Sequence, residues 1–186
     1  MPSENIVFLD RDGTLCHDQG YTVRPEDMSI VAGAGRAVGK FVRAGYRAVV
    51  VTNQSAIGRG MADRDAVERT NEECLRQLHT EDPDGKISLV LYCPHHPDEN
   101  CDCRKPKVGM VRSASFPWAF DPEKCWMIGD KTLDLLFGRA LGIPASRCVL
   151  VLTGDGQKER AKAVSAVGPE LRIAEDVCAA ADFIVG

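Results

Sequence analysis

Ile6-Val7-Phe8-Leu9-Asp10-Arg11-Asp12-Gly13-Thr14-Leu15 is the stretch on which the reading of the chain turns. The apolar run Ile6 to Leu9 is short and does not alternate, as expected of a strand buried on both faces of a parallel sheet. Asp10 and Asp12 then stand at the end of that strand, and Gly13 permits a sharp turn beside them. In open α/β sheets the binding crevice lies outside the carboxyl ends of the strands. Two like charges two residues apart beside a core are costly unless a cation or a proton divides them. The same residues would also serve an ordinary Asp-Gly turn. What the rest of the chain sets beside them decides the matter.

Strand and helix signals alternate along the sequence. Asp18-Gln19-Gly20-Tyr21, followed by Pro25, reads as loop. Ala34, Ala37, Val38, Phe41 and Val42 share one helix face, which Gly45 closes. Tyr46 to Val51 reads as a second buried strand, ending in Thr52-Asn53-Gln54-Ser55. A helix capped by Asp63 carries Val67, Cys74, Leu75 and Leu78 on one face. Ile87 to Tyr92 is a third strand, and a helix is expected from about Val108. Cys125 to Ile128 is a fourth strand, leading into Gly129-Asp130-Lys131. Leu133, Leu136, Phe137, Ala140 and Leu141 give the next helix its apolar face. Cys148 to Leu152 is a fifth strand and Asp182 to Val185 a sixth, with no helix expected after it. The alternation predicts a Rossmann-like, doubly wound parallel α/β sheet with helices on both faces.

With 186 residues, 44% of them hydrophobic, the chain is expected to form one domain over 1–186. Lys and Arg total 23 against 27 Asp and Glu, and no basic run stands out, which argues against a nucleic-acid partner. Met1-Pro2-Ser3-Glu4-Asn5 does not resemble the start of a secretory signal, and no apolar run approaches a membrane span. A cytoplasmic location, no membrane partner and a monomeric state are therefore expected. The eight cysteines then read as thiols or metal ligands rather than disulfides.

Polar residues gather at the strand ends. Asp10 and Asp12, Thr52 and Asn53, Arg104 and Lys105, and Asp130 and Lys131 all follow predicted strands and would converge on one edge of a parallel sheet. Carboxylates alone repel an anion, whereas carboxylates holding Mg²⁺ attract a phosphate. Lys105 can neutralise phosphoryl charge, Thr52 can donate to a phosphoryl oxygen, and an Asp can act as nucleophile in phosphoryl transfer.

Asp10-Arg11-Asp12-Gly13-Thr14, Thr52, Lys105 and Gly129-Asp130-Lys131-Thr132-Leu133-Asp134 resemble the four motifs of the haloacid dehalogenase superfamily of phosphatases. The resemblance runs from about Ile6 to Gly142. It implies Mg²⁺-dependent phosphomonoester hydrolysis, with Asp10 as nucleophile and Asp12 as general acid/base. Asp10, Asp12 (through its backbone carbonyl) and Asp130 would hold Mg²⁺. Thr52 and Lys105 would stabilise the phosphoryl group. Arg11, Asp18, Gln19, Gly20, Tyr21, Asn53, Gln54, Ser55, Arg104 and Lys131 would face the substrate, a small phosphorylated sugar.

Cys93-Pro94-His95 and Cys101-Asp102-Cys103 supply four soft or borderline ligands across a short turn, a set suited to structural Zn²⁺ in a loop over 93–103. His96 is an alternative to His95; the family pattern of Cys-x-His then Cys-x-Cys implies His95. This loop stands where many relatives carry a cap domain, so no cap is expected and loops must select the substrate. Within the superfamily the motifs resemble both the heptose-bisphosphate and the histidinol-phosphate branches. Lys131 suits a sugar bisphosphate better than an amine-bearing substrate. Ala56, where the heptose branch has Gly, departs from its pattern. A receiver-type phosphoacceptor domain is the alternative of another class. It has no use for an acid/base at Asp12, which hastens hydrolysis of an aspartyl-phosphate.

Overall fold

The structure is a computed structural model and describes residues 3–113 and 116–186; Met1 and Pro2, part of the N-terminal segment read above, lie outside the described residues. Among the described residues six strands form one parallel sheet: β1 (Ile6–Leu9), β2 (Arg47–Asn53), β3 (Leu89–Cys93), β4 (Trp126–Gly129), β5 (Cys148–Val151) and β6 (Arg172–Ala174). Their order across the sheet is β3-β2-β1-β4-β5-β6. The chain therefore winds outward in one direction from β1 and then returns to wind outward in the other. β1 and β4 flank the point of reversal, where such sheets bind ligands.

Among the described residues six α-helices flank the sheet: α1 (Ala34–Arg43), α2 (Arg64–Glu81), α3 (Gly109–Arg112), α4 (Thr132–Ala140), α5 (Gly156–Val167) and α6 (Val177–Val185). Val7, Leu9, Val50, Ile128 and Val149 pack on one face against Phe41, Leu78 and Ala180 from α1, α2 and α6. Phe8, Val49, Val51, Met127 and Leu150 pack on the other against Met110, Leu135 and Ala163 from α3, α4 and α5. Successive strand residues thus enter different cores, which is why the strands read as unbroken apolar runs. Phe116, Trp118 and Phe120 join the second face, with Phe8 and Phe120 ring centroids 5.6 Å apart. Cys74, Cys125 and Cys148 are buried, as small core residues are; Cys178 is half-buried.

The structure corrects the sequence reading at several elements. Asp182–Val185 is the last turns of α6, not a strand, and the sixth strand is Arg172–Ala174; a closing helix is present after all. A three-residue apolar run, Phe183 to Val185, between Asp182 and Gly186 has no periodicity to separate strand from helix. Upstream, Asp176 accepts a hydrogen bond from Ala179 N at 2.8 Å and caps a run rich in alanine, which favours helix. Helix α5 went unread because only Gly156 and Ala163 of it are buried, too few to make a stripe. The helix expected from Val108 is a single turn. On α4 the buried apolar residues are Leu135 and Phe137, while Leu133 turns to the cleft and Ala140 is exposed. No helix among the described residues is long and apolar enough to cross a membrane.

Candidate active site

The sheet register builds the site. Leu9 pairs with Ile128 on one side and Val50 on the other, so Asp10, Asp130 and Thr52 emerge together at the carboxyl edge. The Asp10 amide donates to Ile128 O at 3.0 Å, which fixes the start of the turn. Gly13 has φ +84°, and a Cβ there would sit 2.3 Å from Asp130 Oδ2. Only glycine lets the β1 turn approach the second carboxylate this closely. Thr153 Oγ1 donates to Gly13 O at 2.6 Å and pins the turn from the β5 side.

Asp130 is fully buried; its Oδ2 accepts from Asp155 N at 2.9 Å, while its Oδ1 has no partner among the described residues. Burial, reinforced by the charges of Asp10 and Asp134, pushes the Asp130 carboxyl up to about 8. Burial likewise pushes Asp10 up to about 7 against the pull of Lys105. The ligand oxygens of Asp10, Asp130 and Asp134 lie within 4.8 Å of one another. A buried carboxylate oxygen without a donor, beside a second carboxylate, is the environment of a hard divalent cation such as Mg²⁺.

Lys105 enters from the far side, its Nζ 2.6 Å from Asp10 Oδ1, Asp134 Oδ1 and Val51 O alike. Burial alone would lower this amine, but Asp10 and Asp134 hold it above its usual value. Asp134 was given no role from the sequence, although it is central here: one oxygen takes Lys105 and the other accepts from Lys131 N at 3.0 Å. The available signal was its spacing, four residues after Asp130 on the otherwise apolar side of α4. Asn53 joins β2 to the same segment, accepting from Lys105 N at 3.0 Å and donating to Lys105 O at 3.4 Å.

A cleft of about 340 Å³ opens above these residues, lined by Asp10, Asp12, Thr52, Ser55, Arg104 and Lys131 among others. Asp18, Gly20 and Tyr21 form its rim on one side, and Arg59 lies over the Tyr21 ring at 5.8 Å. Gln19 points elsewhere: it is exposed, with its amide 3.5 Å from Asp27 O. Lys131 Nζ sits 3.1 Å from Asp18 and 3.6 Å from Asp155, so its amine neutralises that outer acidic group and ties the rim loop to β4. Arg104 lines the cleft with a buried Nη1 that has no partner among the described residues. Gln54 donates through one nitrogen to Asp12 Oδ2 at 2.8 Å and Thr52 Oγ1 at 2.9 Å. Arg11 does not line the cleft. It is buried beneath it and grips Asp12, its Nη2 2.9 Å from Oδ1.

Beyond β3, Cys93, His95, Cys101 and Cys103 converge, with neighbouring ligand atoms 3.2 to 3.6 Å apart. The His95 ring presents Nδ1, 3.2 Å from Cys103 Sγ. His96 instead accepts from Asp98 N and caps the following turn. Three thiols and one imidazole at this spacing suit tetrahedral Zn²⁺. The loop also braces the cleft wall, since Gln54 N donates to Cys93 O and Gly58 N to Pro94 O, both at 2.8 Å.

Residues 102–180 match the family model described as HAD-hydrolase-like. The chain is 39% identical over 171 residues to D-glycero-beta-D-manno-heptose-1,7-bisphosphate 7-phosphatase of Haemophilus ducreyi, covering 89% of this chain and 88% of that protein. It is 37% identical to the probable D-glycero-D-manno-heptose-1,7-bisphosphate 7-phosphatase of Thermoplasma acidophilum, over 74% of this chain and 86% of that one. Among solved structures, the D,D-heptose 1,7-bisphosphate phosphatase from B. bronchiseptica, complexed with magnesium and phosphate, superposes with a TM-score of 0.86. Identity there is 29%, over 97% of this chain and 98% of that chain. Sequence identity and the superposition point to the same family. The chain belongs to the D-glycero-D-manno-heptose-1,7-bisphosphate 7-phosphatase family of haloacid-dehalogenase-like hydrolases.

Proposed function

We propose that this chain hydrolyses the C7 phosphomonoester of D-glycero-D-manno-heptose 1,7-bisphosphate through a phosphorylated Asp10, leaving the C1 phosphate in place. The observation that carries this reading is the Asp10–Lys105–Asp134 cluster beside Asp130, at the floor of a polar cleft, in a chain of this family. Asp10 attacks phosphorus while Asp12 gives a proton to the departing C7 oxygen. Asp12 then takes a proton from the water that attacks the aspartyl-phosphate, which restores Asp10 and releases inorganic phosphate. Lys105 and Thr52 line the cleft beside Asp10 and would supply charge and a hydrogen bond to the phosphoryl oxygens. Asp10, Asp130 and the Asp12 carbonyl would hold Mg²⁺, which when bound screens the phosphoryl charge from the carboxylates. Cys93, His95, Cys101 and Cys103 would hold Zn²⁺ and lock the loop that delivers Arg104 and Lys105.

Two carboxyls raised to about 7 and about 8 make cation binding a competition with protons. Below those values a bound proton must leave before Mg²⁺ enters. Affinity should therefore rise steeply from pH 6 to 8 and flatten above, by up to about tenfold per pH unit for each proton displaced. Calorimetric Mg²⁺ titration at pH 6 and 8.5 reads this directly, and equal affinities would contradict it.

Arg104 lines the cleft with a buried Nη1 that has no partner among the described residues, which suits the retained phosphate. Arg104→Ala should lower kcat/KM on the bisphosphate by about 10- to 150-fold, the equivalent of roughly 1.5–3 kcal/mol for a charge-assisted contact. It should spare a small generic phosphate ester. Equal losses on both would place Arg104 in the common chemistry. Phosphate release measured across heptose bisphosphate, heptose 7-phosphate and histidinol phosphate tests the substrate itself. The bisphosphate should give the highest kcat/KM, and a preference for histidinol phosphate would overturn the reading.

A further inference from the structure

Asn71 is out of place on its helix. Val67, Thr70, Asn71, Cys74 and Leu78 are the buried residues of α2; Thr70 satisfies its hydroxyl on Ala66 O one turn back, whereas Asn71 puts an amide where an apolar side chain would serve. A buried amide is costly unless it is hydrogen-bonded. Its Oδ1 accepts from Arg11 Nη1 at 2.6 Å, the shortest of the bonds that hold this guanidinium. Arg11 is 1% exposed and Asn71 6%. The other two nitrogens of Arg11 are engaged too: Nη2 with Thr22 O at 3.3 Å and with Asp12 Oδ1, and Nε with both Asp12 oxygens at 3.1 Å. The planar guanidinium is thus a rigid link, with one edge on a helix outside the cleft and the other on the carboxylate within it.

We infer that Asn71 is a positioning residue, setting the place of the Asp12 carboxylate through the buried fork of Arg11. The inference rests on the phosphatase reading and on Asp12 as its acid and base. Asp12 must come within hydrogen-bond reach of the leaving oxygen and later of the attacking water. Gln54 holds one Asp12 oxygen from the β2 side and Arg11 holds the carboxylate from the α2 side. Without the Asn71 acceptor the guanidinium loses one of its three anchors and can rotate, carrying Asp12 with it. Arg11 itself therefore acts on the reaction from behind Asp12 rather than by touching substrate.

Proton donation matters most when the leaving oxygen is basic, which separates this role from a merely structural one. Asn71→Leu should lower kcat/KM for α-glycerol phosphate by about 10- to 100-fold, the scale of a displaced general acid. With p-nitrophenyl phosphate, whose leaving group departs unaided, it should cost no more than about threefold. Arg11→Met should show the same selectivity, and the double variant should lose no more than Arg11→Met alone, because both changes act on one link. Removing both polar partners also avoids a buried unpaired guanidinium, so the double variant should fold. If Asn71→Leu fails to fold, Asn71→Ser, which leaves room for a water on Nη1, should show the same selectivity to a smaller degree. Equal losses on the two esters, or losses that multiply in the double variant, would overturn the inference. Wild-type protein that releases phosphate from neither ester nor heptose bisphosphate would instead overturn the phosphatase reading beneath it.

Discussion

Asp10→Asn should abolish turnover on every phosphate ester, by at least about 10⁴-fold in kcat, while the protein stays folded. An amide cannot attack phosphorus, and it cannot offer the charge that a cation between Asp10 and Asp130 requires. The fold should survive because Lys105 keeps its 2.6 Å contacts with Asp134 and with Val51 O. Losing Asp10 also removes one member of a crowded acidic group, the cause that raises Asp130 after its own burial. A steady-state assay of the Mg²⁺-saturated variant, with a thermal melt alongside, checks both halves. Activity within tenfold of wild type would remove Asp10 from the chemistry.

Loss of zinc should be the largest blow to the structure. Cys101→Ser should leave the protein with little zinc, a markedly lower melting temperature and greatly reduced activity. Ligation is coupled to folding, and structural Zn²⁺ sites bind with roughly 10–16 kcal/mol of apparent free energy. Damage should reach the cleft because the loop is tied to it at Gln54 and Gly58 and runs straight into Arg104 and Lys105. Elemental analysis of protein prepared without chelator should give one zinc per chain in the wild type. None there, or a zinc-free Cys101→Ser variant of normal stability, would contradict the reading of the loop.

The central part of the fold was legible because burial on both faces leaves a simple mark. β1, β4 and β5 are continuous apolar runs ending in polar residues, and the helices α1 and α2 carry apolar stripes. The edges were not legible for the converse reason. α5 buries too little to pattern, and α6 buries Ala180 and Ala181, small residues that look alike in strand and helix. At the site, the sequence order placed Asp10, Thr52, Lys105 and Asp130 at strand ends, and the sheet brings them together. It could not say which way a side chain turns. Arg11, expected to meet substrate, is buried beneath the cleft and spent on Asp12, Gln19 lies off the cleft, and Gln54 lines it with its amide shared between Asp12 and Thr52. Asp134, named within the last motif, carries no separate role in the sequence reading because an acidic residue one turn into a helix ordinarily reads as a favourable charge at its N-terminus. Its spacing from Asp130 hints at a part in the site, and the closure onto Lys105 in three dimensions shows what that part is.

The most direct measurement is ³¹P NMR of D-glycero-D-manno-heptose 1,7-bisphosphate incubated with the Mg²⁺-loaded protein. The C7 phosphate signal should disappear in step with the growth of inorganic phosphate, while the C1 signal persists and no further phosphate is released. Loss of the C1 signal first, or an unchanged bisphosphate under conditions where histidinol phosphate is hydrolysed, would contradict the account.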